Sequence, residues 1–225
     1  MGERSPLTAP GAGNTVADML IGPKCVLCAK PGRGLCAACV VRLRSHGDDE
    51  VQHILGVPTG SIFRYEAVAR HVVTGLKFDG KRDAVPALGV ALGVRVAALA
   101  GDEPINAVTW VPSLPLHVRG RGFDQGALLA EATARSLGIP NAPMLRRADG
   151  QGQTGHSRAE RLRGPTLVAR RPNRRWRGDR VVIVDDVITT GSSMRNAIDA
   201  LRRVGLEPVA AVVLAARRND GNARL

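Results

Sequence analysis

Residues 181–193, VVIVDDVITTGSS, restrict this chain more than any other stretch. Val181, Val182, Ile183 and Val184 form an uninterrupted apolar, mostly β-branched run, the signature of a strand covered on both faces. Asp185 and Asp186 follow at its carboxyl end. Thr189, Thr190, Gly191, Ser192 and Ser193 then make a small hydroxyl-rich turn. Beyond it Met194, Ala197, Ile198 and Leu201 recur on one helix face, with Gly205 as the closing residue. Backbone N–H groups of such a turn and the positive end of the helix hold a phosphate, while adjacent carboxylates accept hydrogen bonds from vicinal hydroxyls. The stretch therefore predicts a sugar-phosphate site.

Other folds also place acids after apolar strands. A phosphoacceptor receiver domain has its acidic pair early and its acceptor aspartate several elements later, whereas Asp185 stands 40 residues before the end of this sequence. A Walker-B strand needs a G-x-x-x-x-G-K-[ST] partner, and Gly80-Lys81 is followed by Arg82 without a suitable glycine before it. A buried strand ending in a solvated Asp-Asp turn leaves the following Thr/Gly/Ser loop without a purpose.

The 225 residues suit one medium α/β domain with a small appendage. A formal net charge of +12 implies anionic partners, whether phosphorylated metabolites or nucleic acid. With three Phe, two Trp and one Tyr, base-stacking platforms have little to be built from, so nucleic-acid binding would rest on phosphate contacts. The longest apolar region, Ala84–Ala100, is interrupted by Pro86 and Arg95. The N-terminus lacks a signal-peptide pattern, and Pro6 occupies the Ser/Thr position of a myristoylation start. The expectation is a cytoplasmic chain without membrane insertion.

All four cysteines fall together as Cys25-x-x-Cys28 and Cys36-x-x-Cys39, joined by a short Pro/Gly-containing loop. Each knuckle presents two thiolates to one tetrahedral ion, which is zinc-ligand spacing with no position left open for a substrate. Disulfides are the competing reading, disfavoured in a reducing compartment. Lys24, Lys30 and Arg33 balance the charge of a tetrathiolate zinc site. The domain expectation is a mobile tail over 1–18, a zinc-knuckle segment over 19–55 and the main α/β domain over 56–225.

Along the rest of the chain, Tyr65, Val68, Val72 and Leu76 predict one helix. Leu88, Leu92, Val96 and Leu99 predict a second over 83–100, N-capped by Asp83. The two would cover one face of the sheet. Ala107 to Val111 reads as a strand stopping at Pro112-Ser113-Leu114-Pro115, a rigid turn at the edge where open α/β sheets bind ligands. His117, Arg119 and Arg121 follow as a basic loop whose Gly120 and Gly122 permit close approach of an anion. A third helix is expected over 123–137 with Leu128, Leu129 and Ala132 inward, and another strand over 208–214. Between 146 and 180 eleven arginines face three acids, and the glycine-rich 150–157 stretch reads as a loop that closes over a substrate.

With these pieces in order, VVIVDDVITTGSS resembles the type I phosphoribosyltransferases. From about Cys25 to Ala216 the chain is similar to the ComF family, also called the competence-protein or GntX-like family. The resemblance rests on the four-cysteine knuckle, YEAVARHVVTGLKFDGK, VPSLPLHVRGRGFDQGALLAEA, QTGHSRAERLRG and the acidic loop. It departs from the family pattern in three places. The turn Val111-Pro112-Ser113-Leu114-Pro115-Leu116 is one residue longer than the family's Val-Pro-Val-Pro-Leu, and Asp124 and Gly164 stand where asparagine is common.

The resemblance implies a type I phosphoribosyltransferase-like α/β fold with a mostly parallel sheet flanked by helices. It also implies 5-phosphoribosyl-1-pyrophosphate with Mg2+ as cosubstrate. Asp185 and Asp186 would bind the ribose hydroxyls, directly or through magnesium, and Thr189, Thr190, Gly191, Ser192 and Ser193 the 5′-phosphate. Ser113 and Leu114 by backbone, with Arg119 and Arg121 by charge, would take the pyrophosphate. Many relatives have a third acid four residues after the first of the pair; here that residue is Thr189. Three functions follow: a transferase acting on an unidentified acceptor, a site-bearing module of DNA-uptake or repair machinery that binds single-stranded DNA, and a ligand-responsive regulator. A homodimer is a further expectation.

Overall fold

The structure, a computed structural model, describes residues 24–28, 30–31, 34–39, 50–65, 67–78, 82–148, 165–170 and 178–217. The expected mobile tail and the 150–157 loop lie outside them.

The central sheet has five strands: β1 (Val51–Ile54), β2 (Val57–Arg64), β3 (Ala107–Trp110), β6 (Arg180–Ile188) and β7 (Glu207–Ala216), in the order β1-β2-β7-β6-β3. All pairings are parallel except the β1–β2 hairpin. A two-stranded antiparallel ribbon, β4 (Leu145–Arg147) with β5 (Leu167–Ala169), stands apart from it.

The apolar runs of β6 and β7 divide between two cores, as a sheet covered on both faces requires. Val182, Val184, Val212 and Leu214 enter one layer with α1 (Ala67–Phe78), α2 (Val85–Ala100) and α4 (Gln125–Leu137). Val181, Ile183, Ala211 and Val213 enter the other with α5 (Ser192–Arg202) and the ribbon. Met194, Ala197, Ile198 and Leu201 of α5 are all fully buried. The region Arg82–Ala100 is long and apolar enough to cross a membrane by length and composition, and its Leu88, Leu92 and Val96 are buried in the first layer. This helix lies close enough to α4 that a Cβ on Gly89 would stand 2.4 Å from the Ala132 Cβ.

Several boundaries differ from the expectation. The 83–100 helix begins with a 3-10 turn, Arg82–Ala84, and its cap residue is Ala84, which makes no side-chain bond; Pro86 in the first turn replaces a capping side chain as the start signal. The third helix starts at Gln125, with Asp124 rather than Phe123 at its boundary. The basic stretch after Pro115 is itself a short helix, α3 (Pro115–Arg121). Gly122 ends it at φ 78°, its N–H donating to the Val118 carbonyl, so this glycine serves a left-handed helix end. Gly205, also left-handed, lies beyond the α5 boundary residue Arg203 and closes the turn into β7.

Candidate functional site: an acidic strand end facing a braced turn

β6 runs past its apolar half: Asp185 and Asp186 are still strand residues, and pairing with β7 continues to Ile188. Extending the ladder holds both carboxylates on a rigid element. The loop is thereby reduced to Thr189, Thr190 and Gly191, with Ser192 and Ser193 forming the first turn of α5. Gly191 sits at φ 73°, a conformation that strains any side chain. Thr190 Oγ1 lies 2.9 Å from Ser192 Oγ and accepts from the Ser192 N–H, so the hydroxyls organise the loop itself. Thr189 and Thr190 are exposed.

The Asp186 N–H donates to Asp185 Oδ1 at 2.8 Å. Burial, then the charge of Asp186, raises the Asp185 carboxyl well above its ordinary range, against the opposing effects of that N–H and of Lys77. Lys77, in the last turn of α1, forms an ion pair with Asp186. Two adjacent carboxylates, one of them paired with Lys77, make an oxygen donor set of the kind that fits a magnesium ion. Asp185 and Asp186 would hold it.

β3 ends beside this pair: Trp110 is in register with Val184, and the Val111 N–H donates to the Val184 carbonyl at 3.0 Å. The Pro112–Pro115 turn therefore leaves the sheet at the same edge as the acids. Asp124 braces it. Its Oδ1 accepts from Ser113 Oγ (2.9 Å) and the Gly126 N–H (3.0 Å), and its Oδ2 from the Ser113 N–H (3.1 Å) and Trp110 Nε1 (3.3 Å). The longer turn and Asp124, two of the departures noticed in the sequence, thus meet in one cluster. Arg147 Nη1 donates to the Pro112 carbonyl at 3.3 Å. Of the basic residues expected here, Arg119 is exposed and Arg121 half-buried on α3.

Sequence reasoning passed over Lys77, Arg147 and the bracing role of Asp124. An aspartate directly before a helical pattern is a capping signal, and it was legible for Asp124. Lys77 offered none, because a lysine in the last turn of a helix is ordinary dipole compensation.

The four cysteines form a separate cluster, their Sγ atoms all within 4.8 Å of one another. Sulfurs bound tetrahedrally at about 2.3 Å from zinc lie about 3.8 Å apart, and Cys28 and Cys36 Sγ are 3.7 Å apart. All four are free thiols. Burial pushes the Cys25 thiol up, but backbone N–H groups of Cys36, Cys28 and Leu27 outweigh it and bring it down to about 6. Burial and the neighbouring Cys36, Cys28 and Cys25 thiols push Cys39 up to about 12. The donor set fits structural zinc. Val26 enters the main core, and a Cβ on Gly34 would stand 2.1 Å from the Asp83 backbone carbon, so the knuckle is docked where α2 begins. The reduced protein is expected to hold about one zinc per chain, with chelation lowering Tm. Metal analysis with a melting curve tests this; a metal-free protein with an unchanged Tm would contradict it.

Residues 124–224 match the family model for the phosphoribosyl transferase domain. Orotate phosphoribosyltransferase of Brucella ovis is 34% identical over 92 residues, 41% of this chain and 39% of the relative. The chain thus spans about two fifths of the curated relatives it matches. Among solved structures, an adenine phosphoribosyltransferase aligns over 78% of this chain and 88% of its own, with 14% identity and a TM-score of 0.45. That of Saccharomyces cerevisiae aligns over 80% and 90%, with 16% identity and a TM-score of 0.41. The acidic strand end, the hydroxyl loop and α5 all lie inside the stretch that matches the phosphoribosyl transferase domain model, in a chain whose fold is α/β with a mostly parallel central sheet flanked by helices.

Proposed function

We propose that this protein binds 5-phosphoribosyl-1-pyrophosphate with Mg2+ and transfers the phosphoribosyl group to an acceptor, as the ComF-like sequence pattern implies. The observation that carries the reading is the shared edge: Asp185 and Asp186, the Thr189–Ser193 loop and the Pro112–Pro115 turn all leave parallel strands in the same direction.

Displacement at the anomeric carbon breaks its bond to pyrophosphate and forms one to the acceptor through a cationic, oxocarbenium-like state. It needs orientation of the ribose and neutralisation of the leaving group. Asp185 and Asp186 accept from the ribose hydroxyls and keep negative charge near the developing cation. The loop amides with Thr190, Ser192 and Ser193 hold the 5′-phosphate. The Ser113–Leu114 turn, with Arg119 and Arg121, faces the diphosphate. Magnesium supplies charge neutralisation on the diphosphate and ribose oxygens when bound. Thr189 offers no carboxylate base, which favours an acceptor already nucleophilic at neutral pH. In this reading the four-cysteine knuckle serves the α/β domain as a docked structural unit. That domain begins no later than β1 (Val51–Ile54), which pairs with β2 in the central sheet rather than falling on the knuckle side of a boundary at 55. Release of pyrophosphate on adding candidate nucleophiles tests turnover; silence with every amine and base acceptor, despite donor binding, would leave a binding protein.

The net charge of +12 favours a second reading, contact with single-stranded DNA. For five arginine–phosphate contacts, log K is expected to fall against log salt with a slope of about −3.5. Filter binding across a salt series measures it, and a flat response excludes phosphate contacts.

A further inference from the structure

Two observations remain beyond the donor site itself. Both hydrogen-bond donors of Ser113, its N–H and its hydroxyl, point to Asp124. The same carboxylate accepts from the indole of Trp110, the last residue of β3, and from Gly126 in the first turn of α4. Four donors fill one side chain, each carboxylate oxygen taking two. The carboxylate is thereby tied to a strand and to a helix, and the turn is tied to the carboxylate. Gly126 leaves the room this needs: a Cβ there would stand 2.9 Å from the Val111 carbonyl oxygen and 3.1 Å from Trp110 Cδ1.

We propose that Asp124 is a positioning residue for the diphosphate end of the site, building the Pro112–Pro115 turn before ligand arrives by holding both donors of Ser113 and the Trp110 indole. Ser113 then acts through its inward bonds, and the turn's shape rather than the Ser113 N–H serves the ligand. A preformed turn spares the ligand the cost of ordering it. This rests on the site reading given above.

Asp124→Asn separates turn building from helix capping. Asparagine is as good an N-cap as aspartate, and its remaining oxygen can keep the Gly126 and Ser113 hydroxyl bonds. Its amide then faces two donors, the Trp110 indole and the Ser113 N–H, and neither bond can form. The full chain is titrated by calorimetry with Mg2+ plus inorganic pyrophosphate, and separately with ribose 5-phosphate. Trp110 emission is read in a Trp176→Phe background. Asp124→Asn is expected to weaken pyrophosphate by about tenfold or more, to leave ribose 5-phosphate unchanged and to shift Trp110 emission. Ser113→Ala is expected to weaken pyrophosphate with little further loss in the double variant, since the two act as one unit. Equal weakening of both ligands, or tighter pyrophosphate binding in Asp124→Asn, overturns the proposal while leaving the site reading intact. A wild-type protein that binds neither ligand overturns the site reading and this proposal with it. Should Asp124→Asn melt too low to titrate, Ser113→Ala alone decides: unchanged pyrophosphate affinity overturns the proposal.

Discussion

Replacing Asp185 and Asp186 together by asparagine is expected to abolish the rise in Tm that Mg2+ with 5-phosphoribosyl-1-pyrophosphate produces in the wild-type protein. A ligand at a hundred times its Kd stabilises by about 2.7 kcal/mol, which for a chain of this size is roughly 5–10 °C. Asparagine keeps the shape of both side chains and removes the charge that a divalent ion and the ribose hydroxyls require. Scanning fluorimetry with and without ligand reads the result; an undiminished shift in the double variant shows that the ligand sits elsewhere.

The single Asp185→Asn change has an opposite effect on the protein without ligand. Burial and Asp186 raise the Asp185 carboxyl, so the folded state holds this proton to higher pH than the unfolded chain does. Between the ordinary aspartate value, about 4, and the raised one, the folded state binds more protons. The stabilisation is complete below that window and is lost as pH rises through it. The asparagine variant does not titrate, so its Tm is expected to exceed the wild-type value by a few degrees at neutral pH, with the gap closing toward pH 4. Lys77 takes part in the same balance: it pairs with Asp186 and opposes the rise at Asp185.

Gly89→Ala is expected to lower stability by overpacking the contact between α2 and α4. The new Cβ would lie 2.4 Å from the Ala132 Cβ, 2.6 Å from its carbonyl carbon and 2.8 Å from its oxygen. Two of those atoms are backbone, so no rotamer change relieves the contact and α2 must move away from α4. Ser136 Oγ, which donates to the Gly89 carbonyl at 3.2 Å, would be displaced with it. Overpacking of a core costs about 1–3 kcal/mol, occasionally more, and the gain in helix propensity, about 1 kcal/mol, offsets only part. The net, up to about 2 kcal/mol, corresponds to a Tm fall of up to about 8 °C for a chain of this size. Adding Ala132→Gly removes the Cβ contact but not the backbone ones, so rescue is expected to be partial. Full rescue, or an unchanged Tm in the single variant, would show that the helices stand further apart.

Features with a local signal were legible before any tertiary structure. The unbroken Val181–Val184 run gave away a strand covered on both faces, and both core layers do receive its side chains. The α5 stripe and the cysteine spacing were equally readable, because helical period and ligand spacing are written within one or two turns of chain. The strands β1, β2, β4 and β5 have no counterpart among the strands the sequence predicts. β2 contains Pro58 and Gly60, which read as turn residues, and β4 and β5 have three residues each, too few for a period. The Pro115–Arg121 helix is not legible in the sequence, because its glycines and arginines carry no apolar stripe.

What the sequence determined by itself was the donor set: two acids after a buried strand, a hydroxyl loop on a helix, and four thiols in paired knuckles, with a positive charge suited to phosphates. Tertiary structure alone decided how those groups are held. Lys77 meets Asp186, Asp124 gathers Ser113 and Trp110, and Gly34 seats the knuckle at the start of α2 because strand order and helix packing bring together residues far apart in the chain. Such contacts leave no periodic trace in a sequence, since each depends on where the sheet has already put its neighbour.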